Sequence, residues 1–194
     1  MILSDRATFD LAVRLRSGSA VTIGEVFSFV SGLYFRGKLT YARAFATPPD
    51  PTSDVCGSGI FVITPNAGLR SVDTSITTAG LRAFATVDVD ADNPKYRKPL
   101  ERSARTLADD LGPECEVVLL GSIASSKYVD VLLGIFGSRL LFPMDFVGRG
   151  DMSRGGLMLR SAAAGQELPY VPVAGAVRHG QRPPKLAPLP RPAR

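Results

Sequence analysis

The stretch that most restricts what this chain can fold into is residues 115–156, CEVVLLGSIASSKYVDVLLGIFGSRLLFPMDFVGRGDMSRGG. After Glu116 comes an unbroken apolar run, Val117 to Leu120. A strand apolar on both sides belongs between layers, as in a parallel sheet. Gly121 ends it, and Ser122, Ser125 and Ser126 are of the type that caps helices by accepting from free backbone N–H groups. Tyr128, Val131, Leu132 and Ile135 then fall at spacings of three and four, which predicts a helix over about 127–136. Gly137 suits the helix end, and residues 140–142 form a second short apolar run. Strand, helix, strand in so short a space is a βαβ crossover. In open parallel sheets ligands bind beyond the carboxyl ends of the strands. The candidate site therefore falls on residues 121–126 and 143–154.

The second of these loops, 146–156, carries Gly148, Gly150, Gly155 and Gly156 together with Arg149 and Arg154. Glycines let backbone approach a ligand closely, and a helix N-terminus attracts anions. Arg149 and Arg154 are candidates for bidentate contacts to phosphate or carboxylate. The spacing is neither a Walker A loop nor the dinucleotide G-x-G-x-x-G. The plainer alternative is a connecting loop capped by Asp151 or Ser153.

Charge must be located before it is interpreted. The formal net charge is +5. Of 23 basic residues, five (Arg178, Arg182, Lys185, Arg191 and Arg194) lie in 174–194, where no acid occurs, so residues 1–173 hold 18 bases and 18 acids. The excess lies wholly in the tail, which contains Pro183, Pro184, Pro188, Pro190 and Pro192 and reads as disordered or polyproline-like. Residues 1–173 read as one α/β domain. No apolar run approaches the roughly 18–20 residues of a membrane span. The first residues lack the basic-then-apolar pattern of a signal peptide. Cys56 and Cys115 sit in no metal or redox spacing, so a reduced, cytoplasmic protein is expected.

Elsewhere the pattern predicts a short helix over 9–15 with Thr8 as N-cap. One long helix, or two abutting ones, follows over 23–46, with break points at Ser31-Gly32 and Gly37. Arg36 and Arg43, seven apart, with Lys38 and Tyr41 nearby, read as its solvated edge, the alternative being a cationic edge that faces an anionic ligand. Residues 59–64, GIFVIT, read as a central strand, with Asn66 in the loop at its carboxyl end, beside the Gly121 and Gly148 loops. Residues 74–79 and 84–89 read as weaker strands or irregular chain. Asp88, Asp90 and Asp92 imitate the opening of a calcium loop. Pro99 stands where the bidentate Glu is required, so a solvated acidic loop is expected there. A helix over 99–111 and an edge strand over 170–173 complete the order.

The only histidine, His179, is in the tail, so a Ser-His-Asp triad, a Cys-His pair and a histidine-rich metal site are excluded from the body. Acid–base chemistry falls to carboxylates, Lys or Tyr, and in the strand-end loops these are Asp145, Asp151, Lys127 and Tyr128. No cofactor and no metal is assigned.

Ser31-Gly32-Leu33-Tyr34-Phe35, Ala42-Arg43-Ala44, Val62-Ile63-Thr64, Gly68-Leu69, Gly121 with Tyr128, and Pro143 with Gly148 and Gly150 occur in an order that resembles a bacterial family of small domains. That family is similar to the peroxide-stress YaaA proteins and to the uracil-DNA-glycosylase-like domain of archaeal tRNA-guanine transglycosylases. Thr64-Pro65-Asn66 departs from the family's Ser-Ala at that place. The resemblance implies a glycosylase-like three-layer fold and a nucleotide or nucleic-acid context.

The expectation is thus a three-layer α/β fold with a mostly parallel, Rossmann-like central sheet and a disordered C-terminal tail. Its function is to bind a nucleotide, nucleobase or nucleic acid. Arg149 and Arg154, with Gly148, Gly150 and Ser153, would hold phosphate. Asn66, Ser122, Lys127 and Tyr128 would shape the pocket. The alternatives are a small-molecule enzyme with Asp151 or Asp145 as base, and an interaction module acting through its tail. No membrane partner is expected, and the oligomeric state is left open.

Overall fold

The computed structural model describes residues 2–178, 180–184 and 186. Its elements are α1 (Asp10–Arg16), α2 (Ile23–Val30), α3 (Gly32–Phe45), β1 (Phe61–Thr64), β2 (Gly68–Ser71), α4 (Thr78–Phe84) and α5 (Pro94–Leu111). There follow β3 (Val117–Val118), α6 (Ser126–Phe136), β4 (Leu140–Pro143), α7 (Asp151–Ala164) and β5 (Tyr170–Pro172).

The expected mostly parallel central sheet is not there. β1 and β2 form an antiparallel hairpin, Phe61 opposite Ser71 and Thr64 opposite Gly68. A separate three-stranded sheet has the order β3-β4-β5, parallel between β3 and β4 and antiparallel between β4 and β5. The βαβ crossover β3-α6-β4 is therefore present, but it is the only parallel pairing among the described residues. The glycosylase-like three-layer arrangement is corrected with it. The error lay in reading 59–64 as central. The hairpin turn is satisfied locally, because Thr64 Oγ1 donates to the Gly68 carbonyl and Gly68 takes a φ of 68°. β2 then docks on α5, where the Leu69 N–H donates to Ser103 Oγ at 2.8 Å. A strand closed by its own turn and covered by a helix has no need of a parallel neighbour.

Two apolar clusters hold the chain. The larger gathers Tyr41, Leu100, Leu107, Val129, Leu132, Phe136, Leu140, Phe142, Phe146 and Met158 from α3, α5, α6, β4 and α7. The smaller gathers Leu15, Val21, Ile23, Val26, Val62, Val72 and Leu81 around α1, α2 and α4. Each such side chain, fully buried, contributes about 1.5–3 kcal/mol. A hydroxyl chain ties α3 to β5: Tyr41 and Tyr170 Oη are 2.6 Å apart, and Tyr170 donates to Glu167.

The local signals have identifiable outcomes. Residues 23–46 form two helices that part at Ser31-Gly32. α2 opens with a capping box, Thr22 Oγ1 accepting from the Glu25 N–H and Glu25 accepting from the Thr22 N–H. Gly37 is not a break; it lies inside α3. The N-cap of α1 is Phe9 rather than Thr8. Residues 78–84 form helix α4, capped by Thr77, while 74–77 and 85–89 are irregular chain apart from a bridge between Thr22 and Ser75. α5 starts at Pro94, five residues earlier than Pro99, because the Asn93 side chain caps it. No helix among the described residues is long and apolar enough to cross a membrane. Much of the expected disordered tail, residues 179, 185 and 187–194, lies outside the described residues. Of the rest, Arg178 pairs with Asp130 at 3.0 Å.

The tightest helix contact is between α3 and α7. A Cβ placed on Gly37 would stand 2.7 Å from the Gly155 carbonyl oxygen, and one on Gly155 would stand 3.0 Å from the Leu33 oxygen and Tyr34 Cα. Both obstacles are backbone. Gly37→Ala is therefore expected to destabilise the protein by about 1–3 kcal/mol. Gly134→Ala, on exposed α6 surface with nothing within 4 Å of the new Cβ, is expected to stabilise it by about 0.5–1 kcal/mol. Urea unfolding of the two variants checks this; stabilisation by both would remove the close helix contact.

Candidate functional site

The contact at Gly37 and Gly155 positions a polar cluster. Tyr34 and Lys38 are four apart on α3 and so project from one face, while Asp151 and Arg154 lie on the first turn of α7. The third wall is the chain leaving β3. Tyr34 Oη donates to the Leu120 carbonyl at 3.3 Å, and Tyr128 Oη, from α6, donates to the Ser122 carbonyl at 2.8 Å. This wall lies at the carboxyl end of β3, one half of the parallel pair.

Arg154 is only 9% exposed. Its Nε donates to the Phe146 carbonyl at 3.2 Å, its guanidinium carbon lies 5.6 Å from the Phe146 ring centre, and Nη1 is 3.8 Å from Asp151 Oδ1. Asp151 itself is exposed. Lys38 Nζ stands 3.9 Å from the centre of the Tyr34 ring, a cation–π contact. Among the described residues no carboxylate lies within 4.0 Å of that ammonium. Burial pushes the Lys38 ammonium down to about 8; Arg154 adds to the depression and Asp151 opposes it. Burial likewise pushes the Tyr34 hydroxyl up to about 12 and raises that of Tyr128. Close by on α5, Tyr96 is fully buried and its hydroxyl has no hydrogen-bond partner among the described residues. Its hydroxyl, too, is pushed up to about 12, by burial first and by Tyr128 second.

The remaining sequence-derived candidates divide. Arg149 and Arg154 clamp consecutive carbonyls of one turn: Arg149 Nε donates to Asp145 O at 2.9 Å, next to the Phe146 carbonyl held by Arg154. Arg149 Nη1 also donates to Ser153 Oγ and to the Pro184 carbonyl. Gly148, at a φ of 72°, faces the Gln181 carbonyl so closely that a Cβ would collide with it. Gly150 is the N-cap position of α7 and contributes no side-chain cap. Asp145 sits in a short 3-10 turn before the loop. Ser122 offers its carbonyl, already taken by Tyr128. Lys127 is exposed and lines a surface depression of about 610 Å³ with Asp88, Asp90 and Asp92, away from the cluster. Asn66 lies in the β1–β2 turn and lines a groove against α5. It therefore does not sit beside the Gly121 and Gly148 loops as expected.

Sequence reasoning does not single out Tyr34 as a site residue, and it takes Lys38 only as part of a helix edge that faces solvent or an anion. The available signal was a Tyr and a Lys one turn apart flanking a helical glycine, with a second glycine beside Arg154. Among the described residues, no group of three or more His, Cys, Asp or Glu is placed to hold a metal ion. Chemically, the cluster has one buried and one half-buried cation against one exposed carboxylate, and an amine pushed down to about 8. Comparison of the chain with family models, with curated proteins and with solved structures gave no match.

The buried amine has a stability signature. Lys38 titrates near 8 in the fold against 10.5 for an ordinary lysine. Below pH 8 it is charged in both states and folding carries the full cost of desolvating it; between 8 and 10.5 the folded protein sheds the proton first and the cost fades. Lys38→Met is expected to raise stability near neutral pH, with the gain disappearing toward pH 10.5. Unfolding free energies across that range check it, and a pH-independent gain would contradict the desolvated ammonium.

Proposed function

We propose that the chain binds a nucleotide, or a phosphate-bearing end of a nucleic acid, where α3, the first turn of α7 and residues 121–126 meet. One observation carries the reading: the Lys38 ammonium is desolvated beside the buried Arg154, and the one acid acting on it, Asp151, is exposed and among the described residues comes within 4.0 Å only of Arg154. Buried charge that is incompletely paired is costly, and an anionic ligand is the group that relieves the cost. The α7 N-terminus adds its unsatisfied N–H groups and its dipole in the same sense. Tyr34 and Tyr128 supply ring surface beside the charges, the blend of flat apolar area and few directed polar groups that ligand sites use. The resemblance to the YaaA proteins and to the glycosylase-like transglycosylase domain implies the same ligand class. Within this proposal Arg154 and Lys38 face the anion. Arg149 holds the loop in shape through Asp145 and Ser153. The proposal also places the protein in the cytoplasm, where Cys56 and Cys115 stay as free thiols.

A second reading, a small-molecule enzyme, has its own support. An amine with half its population deprotonated near pH 8 is a competent base or nucleophile. In that case Lys38 replaces Asp151 and Asp145 as the group that moves the proton.

Calorimetry with AMP, ADP and inorganic phosphate tests the proposal. Binding of an anion is expected to raise the Lys38 pKa, so titrations at pH 8–9 should take up a proton, visible as a dependence on buffer ionisation enthalpy. Lys38→Met should weaken binding at least about tenfold, the worth of roughly one pKa unit of coupling, and abolish the uptake. Absence of binding by all three, or binding unchanged in Lys38→Met, would reject the site.

A further inference from the structure

Away from that cluster, the charged side chains of α5 are not scattered. Lys95, Lys98, Arg102 and Arg105 recur at spacings of three and four, so at about 100° per residue they share one arc of the helix. All four are exposed, and among the described residues none is in an ion pair. Arg97, whose guanidinium is paired with Glu101 at 2.7 Å, points elsewhere on the helix. The arc covers ten residue steps, about 15 Å of axis. It borders a groove of about 530 Å³ between α5 and the β1–β2 hairpin. The groove has an apolar floor from Phe61, Leu69 and Leu107 and polar edges from Asn66, Ser103 and Thr106. Arg102 belongs to both arc and groove, and exposed Arg70 closes the groove from the hairpin side. Glu101, at the border of the arc and paired with Arg97, Asp109, beyond its far end, and Asp54, at the groove, are the acids nearest in placement.

We infer that this face is a docking surface for a single nucleic-acid strand, with phosphates along Lys95, Lys98, Arg102, Arg105 and Arg70 and a base turned into the groove. A strand stacked as in a duplex sets one phosphate per roughly 3.4 Å of axis, so about 15 Å of helix meets at most about four of them, fewer for an unstacked strand. The groove's volume lies within the roughly 300–1,000 Å³ of small-ligand pockets, and its apolar floor with a few hydrogen-bonding edges suits a base. The surface is independent of the Lys38 cluster: it uses other elements, and it takes a polymer where the cluster takes a terminal anion.

The test is fluorescence anisotropy of a labelled oligothymidine with the full chain over a salt series. Five contacts predict a slope of log affinity against log salt of about −3.5 for a single strand. Substituting Lys95, Lys98, Arg102, Arg105 and Arg70 together by Gln is expected to bring the slope close to zero and to weaken binding by about 100-fold or more. The same full chain with Arg182, Lys185, Arg191 and Arg194 changed to Gln should keep most of both. All five stripe residues are exposed, so melting temperatures should match; if the fivefold variant unfolds, the Lys98→Gln/Arg102→Gln pair should lower the slope by about 1.4. The proposal is overturned if the tail variant, not the stripe variant, abolishes binding, if neither changes the slope, or if wild type does not bind. AMP affinity should be unchanged in the stripe variant, and Lys38→Met should leave the salt slope intact, so failure of one site does not read as failure of the other.

Discussion

The backbone contact between Gly37 and Gly155 is the constraint on which the rest depends. Where two glycines meet, helices approach more closely than side chains would allow, and residues one turn away on each helix are forced together. Tyr34 and Lys38 are brought in this way against Arg154. Closeness also removes water, and burial is the largest cause of the lowered Lys38 pKa and of the raised Tyr34 pKa. The same geometry thus creates the site and the electrostatic cost of keeping it empty. That cost is tolerable because α3 and α7 are anchored elsewhere, by Tyr41 with Tyr170 and by Met158 within the main core.

The sheet has a subordinate role. Three short strands cannot form an open sheet with ligands strung along one edge. Only the β3 exit behaves as a parallel-sheet rule expects, because only β3 and β4 are parallel. β1 and β2 follow antiparallel logic instead: their turn is bonded internally, and their outer face looks onto α5. Asn66 is consequently carried to the α5 groove, and the two ends of the molecule that sequence reasoning had joined are separate surfaces.

What the sequence disclosed and what it withheld follow from locality. The α6 face, the α2–α3 junction at Ser31-Gly32 and the β3-α6-β4 crossover are set by residues within a few turns, and these were legible. α4 was not, because Thr78–Phe84 is too short for a helical period to show. The pairing of β1 was not, because an apolar run of four serves a central strand and a hairpin equally. Lys38 was read as solvated for a sound reason: with Arg36 and Arg43 nearby, its helix edge looks polar, and the partner that buries it comes from α7, far along the chain. A glycine inside a helix was the one local trace of that contact, and it was taken for a break.

Equal numbers of acids and bases in residues 1–173 had seemed to remove the folded body from any electrostatic argument. The structure shows why a total misleads. Several arginines are consumed by backbone oxygens: Arg16 by Ser4 and Ala7, Arg139 by Gly112 and Cys115, Arg149 by Asp145, Arg154 by Phe146. These cations keep their charge but are tethered to carbonyls, which fixes where it points. Some acids are engaged at the surface as well, Asp110 by Ser53 and the Cys56 N–H, Asp50 by Thr52. What remains is unequal from face to face, and on the α5 face Lys95, Lys98, Arg102 and Arg105 are exposed with no ion pair among the described residues. A neutral body therefore still presents a directed charge, because neutrality is a sum over the chain and binding is decided by one surface.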